Sequence, residues 1–443
     1  MVYRIFGRAG SGKTEYMINC LKETQSTGVD CLFLVPEQQS IDTEELLEAK
    51  GAAQLDTEVL NFERLPNRVF REIGGLGKRN VDGAGKCALI AAAINALSDT
   101  LKLYSTPCRG TLSELSATIS ALKRLNISAK AFEDICNGIA KSAEAGFAAK
   151  LKETALIYGE YQRLLGEALE DDDDPLTSLA KNNDTASFFA DKAVFIDGIY
   201  TFTPQQYEII KLMAENAAAL YISFTADEDS MFDGTASCAR KIKEYANGKT
   251  EDVFLQTNHR AKTEELLYGE EQLWTAGTPY AELTENVRFA KCETVYEESL
   301  YAASCIYALK NEGYRYNDIA IACRHPESYA GVLDSVLASY DIPFYFAVKD
   351  SAATKPLSAF VLSILEMAEK NFPLYAVKKY LKSTFSVLTE AQADAIIRYA
   401  EAWNIRGKAW IKEADWLMNP EGYAESFSPE AESRLRCINQ SRL

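Results

Sequence analysis

Histidine is almost missing from this chain of 443 residues: His259 and His325 are the only two. A site built on several imidazole ligands therefore has no material. Ten cysteines are present, but none stands in C-x-x-C spacing. Neither a zinc site nor a disulfide framework is indicated, and a reducing cytoplasm is the expected compartment. No apolar run approaches the roughly 20 residues of a membrane helix, so no membrane contact is expected. The N-terminus lacks the apolar region of a signal peptide, because Arg4 and the glycines that follow interrupt it. An excess of positive charge is missing too. Lys and Arg number 47 against 64 Asp and Glu, for a net charge of −17. That argues against a nonspecific nucleic-acid coat and leaves room for a local basic channel. Residues 61–90 carry such a cluster, with Arg64, Arg68, Arg71, Lys78, Arg79 and Lys86; the alternative is a solvated helix face.

What is present is concentrated near the start. Residues 2–6 read as a short buried strand and run into Gly7-Arg8-Ala9-Gly10-Ser11-Gly12-Lys13-Thr14, a full G-x-x-x-x-G-K-[ST] match followed by a helical segment. Strand, glycine loop and helix together form the context of a phosphate-binding loop. Its backbone N–H groups curl around phosphate oxygens, and the helix N-terminus favours negative charge. Lys13 is expected to reach the β/γ-phosphates and Thr14 to hold Mg²⁺.

Further strands are expected at 30–35, 55–60, 192–196 and 219–224, alternating with helices, which implies a parallel sheet with crossovers. Ligands of such sheets sit beyond the carboxyl ends of the strands. Gln38, Ser40, Phe62 and Arg64 fall there, although Phe62 also fits a core position and Arg64 a surface one. Asp197 closes the apolar strand 192–196 in the Walker B manner, suited to holding Mg²⁺; capping the next segment is the alternative. Gly198 follows it, where a general base normally stands, and glycine cannot polarise water. Residues 86–169 read as a helical insertion, with helices at 87–97, 112–125, 131–143 and 148–169. The acidic run 170–174 reads as a solvated loop. Arg260, just ahead of an expected helix at 262–268, is either a phosphate contact or a helix cap. After a polar linker at 274–285, a second αβ unit is expected. Its strands would be 287–291, 318–323 and 343–346, and helical chain with scattered tryptophans would follow from 373. The chain stops at Arg442-Leu443 inside a charged, helix-like stretch, as a piece of a longer protein would.

This layout resembles a superfamily 1 helicase core of the UvrD type. The expected fold class is therefore α/β, with two RecA-like P-loop domains, parallel sheets and helical insertions. The first domain would be 1–82 plus 190–285, its helical insertion 83–189, the second domain 286–372, and the start of a second helical insertion 373–443. Several segments are similar to the AddB (RexB) family: the glycine loop, Phe33-Leu34-Val35-Pro36-Glu37-Gln38, Phe62-x-Arg64-Leu65, Ile196-Asp197-Gly198-x-Tyr200-x-Phe202-Thr203-Pro204-Gln205, and Gly313-Tyr314-Arg315-Tyr316-x-Asp318-Ile319-Ala320-Ile321.

The resemblance implies the B subunit of a heterodimeric ATP-dependent helicase/deoxyribonuclease that processes double-strand breaks for homologous recombination beside an AddA-type motor. It implies ATP and Mg²⁺ at residues 7–14, Asp197 and Arg260, with Thr14 and Asp197 serving the metal. The family's contacts to single-stranded DNA bearing the Chi octamer fall on Gln38, Ser40, Phe62, Arg64 and Phe202. With Gly198 in place of the catalytic carboxylate, no residue is expected to be catalytic and the site is not a motor. Full-length members add a nuclease domain with its own Mg²⁺ and a 4Fe–4S cluster, whose ligands are expected outside these residues. An active superfamily 1 motor, a P-loop small-molecule kinase and a scaffold with a vestigial loop are the alternatives.

Overall fold

Six parallel strands frame the first part of the molecule. The computed structural model describes residues 1–53, 57–75, 77–139, 144–226, 232–272, 277–347, 352–423 and 427–442, and the chain divides into two units, Met1–Arg288 and Phe289–Leu443. In the first unit, β1 (Val2–Gly7), β2 (Asp30–Leu34), β3 (Thr57–Leu60), β6 (Lys192–Ile196), β7 (Ala219–Thr225) and β8 (Thr250–Phe254) form one sheet in the order β3-β2-β6-β7-β1-β8. Every ladder in it is parallel.

The strands are apolar on both faces, as a parallel sheet covered by crossover helices requires. On one face Phe33, Phe195, Tyr221 and Tyr3 stack across four neighbouring strands, with centroids 5.8, 4.6 and 4.5 Å apart. Met17, Ile18 and Leu21 of α1 (Lys13–Gln25) share that core. On the other face Leu34, Val194, Ile196, Ile222 and Phe224 pack with Ile209, Ile210 and Met213 of α10 (Pro204–Asn216). The same core takes in α3 (Leu65–Ile73), α8 (Pro175–Lys181), α9 (Thr185–Ala190) and α11 (Asp233–Tyr245). The strand β8 has no counterpart among the sequence expectations, because its TEDVF sequence carries little apolar signal. A side-chain pairing tethers it: Arg4 of β1, 4% exposed, donates to both carboxylate oxygens of Asp252, with its Nε at 2.8 Å.

The helical insertion is present as α4 (Gly83–Ala96), α5 (Arg109–Arg124), α6 (Ala129–Ile139) and α7 (Ala145–Leu165). Its core is Ile90, Ile94, Leu115, Ile119, Ile157, Tyr158 and Tyr161. Residues 140–143 of the expected third helix lie outside the described residues. At its base, β4 (Arg79–Val81) and β5 (Leu169–Asp171) form a two-stranded parallel ladder.

The acidic run that ends there is not a solvated loop. Asp171 is fully buried and Asp173 is 9% exposed. Lys123 Nζ reaches Asp171 at 2.8 Å and Asp174 at 2.7 Å, and Lys86 Nζ reaches Asp173 at 2.7 Å. Opposite charges from helices far away in sequence neutralise the run, which a local reading cannot see. The same pairing removes Lys86 from the basic cluster, and Arg68 is tied to Glu58 and Glu72.

The second unit contains α13 (Val295–Asn311) and α14 (Leu333–Ser339), joined by Ala303, Ile306, Val336 and Leu337. It also contains α15 (Pro356–Glu369), α16 (Leu374–Leu381), α17 (Glu390–Ala402) and α18 (Pro429–Arg442). Tyr399 and Trp416 stack there at 4.9 Å. The strands expected at 287–291, 318–323 and 343–346 do not form: among the described residues this unit has no β-ladder. Each segment is short and lacks a hydrogen-bonded neighbour, and an isolated short strand does not hold in water. Phe289 and Tyr345 are 90% and 92% exposed. The α/β class thus rests on the sheet of the first unit. No helix among the described residues is long and apolar enough to cross a membrane.

Candidate functional site

The loop between β1 and α1 borders a cleft of about 460 Å³. Its shape depends on Gly10, at φ +80°: a Cβ there would stand 2.7 Å from both Asn258 Oδ1 and Arg260 Cβ. The turn after β8 closes over the loop from that side. The His259 N–H donates to Gly10 O at 2.8 Å, and Asn258 Oδ1 accepts from the backbone of Arg260 and Ala261 at 2.9 Å each. Arg260 is therefore not a helix cap, since α12 (Glu264–Gln272) begins later. Its side chain lines the cleft with Lys13, Thr14 and Asp197. Arg8 turns away: its Nε pairs with Glu270 at 2.9 Å, and its guanidinium also donates to the Glu270 carbonyl. What Arg8 offers a ligand is backbone.

Lys13 Nζ donates to the carbonyls of Gly7 and Arg8, at 2.8 and 2.9 Å. Burial pushes its ammonium below its ordinary pKa; Asp197 opposes that shift and Arg260 adds to it. Ser11 Oγ is buried with no hydrogen-bond partner among the described residues. An ammonium held on its own loop, an orphaned hydroxyl and a curled run of N–H groups together suit an anionic chain of phosphates.

Opposite them, Thr14 Oγ1 donates to Asp197 Oδ2 at 2.6 Å. Ser223 Oγ and the Gly198 N–H hold the other carboxylate oxygen. A hydroxyl and an oriented carboxylate side by side fit an oxygen-liganded divalent ion. Thr14 and Asp197 are 183 residues apart in the chain. They meet because β6 lies in the sheet beside β7, next to β1.

The position after Asp197 carries no side chain. Gly198 has φ +71°, and a Cβ on it would stand 2.7 Å from Gln39 Oε1 and 3.4 Å from Pro36 Cδ. The left-handed backbone strains any side chain at this position, and the Gln39 amide occupies the space beside it. The other carboxylate on the cleft, Glu15, pairs with Lys50 at 2.9 Å. Ser223 is a cleft-lining residue that sequence reasoning misses, because only the fold brings it to the glycine loop; Gln39, Asn258 and His259 stand beside the expected candidates Gln38, Ser40 and Arg260 without being singled out.

The remaining sequence candidates lie beyond the ends of β3, β2 and β6, which are adjacent in the sheet. Gln38 and Arg64 are exposed, and Arg64 has no ion-pair partner among the described residues. Ser40 is 6% exposed, and its Oγ has no hydrogen-bond partner among the described residues. Phe62 and Phe202 are buried at 4% and 8% and meet edge to face at 6.2 Å, so their ring faces are covered. Phe62 still walls two grooves, of about 340 and 630 Å³, which share Glu63 and Gln206. Gln38 and Arg64 stand outside both linings, on the turns beside them. Among the described residues no group of three or more His, Cys, Asp or Glu side chains could hold a metal ion.

Known proteins are similar to this chain along nearly all of it. The family described as ADDB, N-terminal, matches residues 4–270, more than half of the chain. A protein of Ruminiclostridium cellulolyticum, named as the B subunit of an ATP-dependent helicase/deoxyribonuclease, is 30% identical, over 99% of this chain and 40% of its own length. Proteins of the same name from Thermoanaerobacter sp. and Clostridium novyi are each 29% identical, over 92% and 96% of this chain and 37% and 39% of their own. The chain thus spans about 40% of the length of the curated relatives it matches. It belongs to the ADDB N-terminal family.

Proposed function

We propose that this chain is the nucleotide- and DNA-binding part of the B subunit of an ATP-dependent helicase/deoxyribonuclease, and that its nucleotide site binds without driving a motor. The observation that carries this reading is the cleft itself: Thr14 meets Asp197 at 2.6 Å, beside a glycine in a left-handed conformation where a general base normally stands. Residues 7–14 and Arg260 hold ATP, and Thr14 and Asp197 hold its Mg²⁺, which supplies charge neutralisation between the phosphates. Retaining the binding half of the site while losing the hydrolytic half suits a subunit that follows DNA while an AddA-type partner moves it.

The turns beyond β2, β3 and β6 read the single strand and scan it for Chi, in a complex that processes double-strand breaks for homologous recombination in the cytoplasm. Gln38 meets base edges and Arg64 the backbone. Ser40, Phe62 and Phe202 support these turns and require a local opening to touch a base. In the whole protein the exonuclease activity, its Mg²⁺ and a 4Fe–4S cluster belong to residues outside this chain.

The test is single-stranded DNA binding by fluorescence anisotropy across a salt series. Arg64→Ala is expected to weaken binding about fivefold and to lower the salt slope by about 0.7, the contribution of one phosphate contact on a single strand. Unchanged affinity and slope would remove Arg64 from the interface. No binding by the unaltered chain would remove the interface itself.

A further inference from the structure

We infer that Gln39 senses the terminal phosphate of the bound nucleotide, standing in the space that a side chain at position 198 would fill. This rests on the nucleotide reading above. Gln39 closes the 3-10 turn Glu37–Gln39 and precedes α2 (Ser40–Ala49), with no side-chain cap bond to that helix. Its backbone N–H is held by Pro36 O at 2.9 Å. Its carboxamide is exposed and lines the same cleft as Lys13, Thr14 and Asp197.

The amide and the bare glycine belong together. Gln39 Oε1 lies 2.7 Å from where a Gly198 Cβ would stand, so any side chain at 198 would displace it. A neutral amide offers two N–H donors and an accepting oxygen. It can therefore donate to a phosphate oxygen. It does not take a proton at neutral pH, so it recognises the anion without serving as a general base. That is the chemistry expected of a site that reports which nucleotide it holds. Gln39 also sits between Gln38 and Ser40, so a side chain gripping or releasing a terminal phosphate acts on the turn proposed to touch DNA.

The experiment measures equilibrium binding of a non-hydrolysable ATP analogue and of ADP to the unaltered chain and to Gln39→Ala, Gln39→Glu and Lys13→Ala, with thermal melts of each. Gln39→Ala is expected to lose about tenfold in affinity for the triphosphate, the value of one hydrogen bond to a charged group, and to keep its affinity for ADP. Gln39→Glu preserves the shape and sets a carboxylate against the phosphate, so its loss for the triphosphate is larger, again with ADP much less affected. Triphosphate and diphosphate affinities that are unchanged, or that fall equally, in both Gln39 variants would overturn the inference. The nucleotide reading survives that outcome if Lys13→Ala still abolishes binding. If the unaltered chain binds neither nucleotide, both fall together.

Discussion

Alanine in place of Lys13 lowers nucleotide affinity by at least about 100-fold and leaves the chain folded. The ammonium is the main mobile cation of the glycine loop, and it is parked on the carbonyls of Gly7 and Arg8. An incoming phosphate chain exchanges those neutral acceptors for anionic ones. Hydrogen bonds to charged groups contribute about 1.5–3 kcal/mol each, and two of them correspond to the stated loss. Both lost bonds run to neutral carbonyls of the loop itself, so the melting temperature should change little.

The same lysine sets a pH dependence. Burial lowers its pKa in the free protein, and bound phosphate must raise it again. Binding is therefore strongest below the lowered pKa and weakens as the pH rises through it, with proton uptake on binding in that range. Titration calorimetry in buffers of different ionisation enthalpy reads both effects. An affinity that is flat through the alkaline range, or that improves with pH, contradicts this account of Lys13.

Asp171→Ala should destabilise the helical insertion by about 3 kcal/mol, the cost of breaking a buried ion pair from one side. The carboxylate is completely buried, accepts from Lys123 Nζ at 2.8 Å and from Tyr161 Oη at 2.5 Å, and has Lys86 Nζ at 3.3 Å. Removing it leaves two buried ammonium groups sharing Asp173 and Asp174. Arg124→Ala, at the 3.0 Å pair with Asp173, is the control. That arginine is 63% exposed, and its removal should cost less than about 0.5 kcal/mol, since exposed pairs are screened. Urea denaturation of both variants tests the contrast, and equal losses would sink it.

Acid should find the same network. Burial alone would raise the Asp171 carboxyl, but hydrogen bonds from Lys123 and Tyr161 and the charge of Lys86 hold it at about 2, below its ordinary 3.8. A depressed folded-state pKa means the contribution is complete above the ordinary value and is lost as the pH falls through about 2. The network also reaches the functional side, because Gln205 Nε2 donates to Asp173 O at 2.8 Å, at the start of the helix that follows Phe202.

The glycine loop is legible in the sequence because its chemistry is contiguous: strand, loop and helix follow one another, and each residue's role depends on near neighbours. Asp197 is legible too, since an apolar strand ending in a carboxylate is a local pattern, and the glycine after it is equally visible. What cannot be read is made by distance in the chain. Ser223 orients Asp197 from the adjacent strand, Asn258 and His259 close over Gly10, and Gln39 fills the space at Gly198. The acidic run 170–174 misleads because its partners come from α4 and α5, far upstream. The strands expected in the second unit mislead for the opposite reason: an apolar segment such as Ile319-Ala320-Ile321 has strand character by itself, but a strand requires a neighbour. Phe62 and Phe202 show a third limit. Their position beyond strand ends points to contact, and their packing against each other puts them in the core.

The most direct measurement of the central claim is nucleotide turnover by the chain with saturating single-stranded DNA, made alongside nucleotide binding and repeated with Gly198→Glu. The expected result is saturable binding of the ATP analogue with no DNA-stimulated hydrolysis. The glutamate variant should also fail to turn over, because residue 198 has φ +71°, a conformation that strains any side chain placed there. Hydrolysis stimulated by DNA to the several turnovers per second usual for enzymes in the unaltered chain would contradict the account.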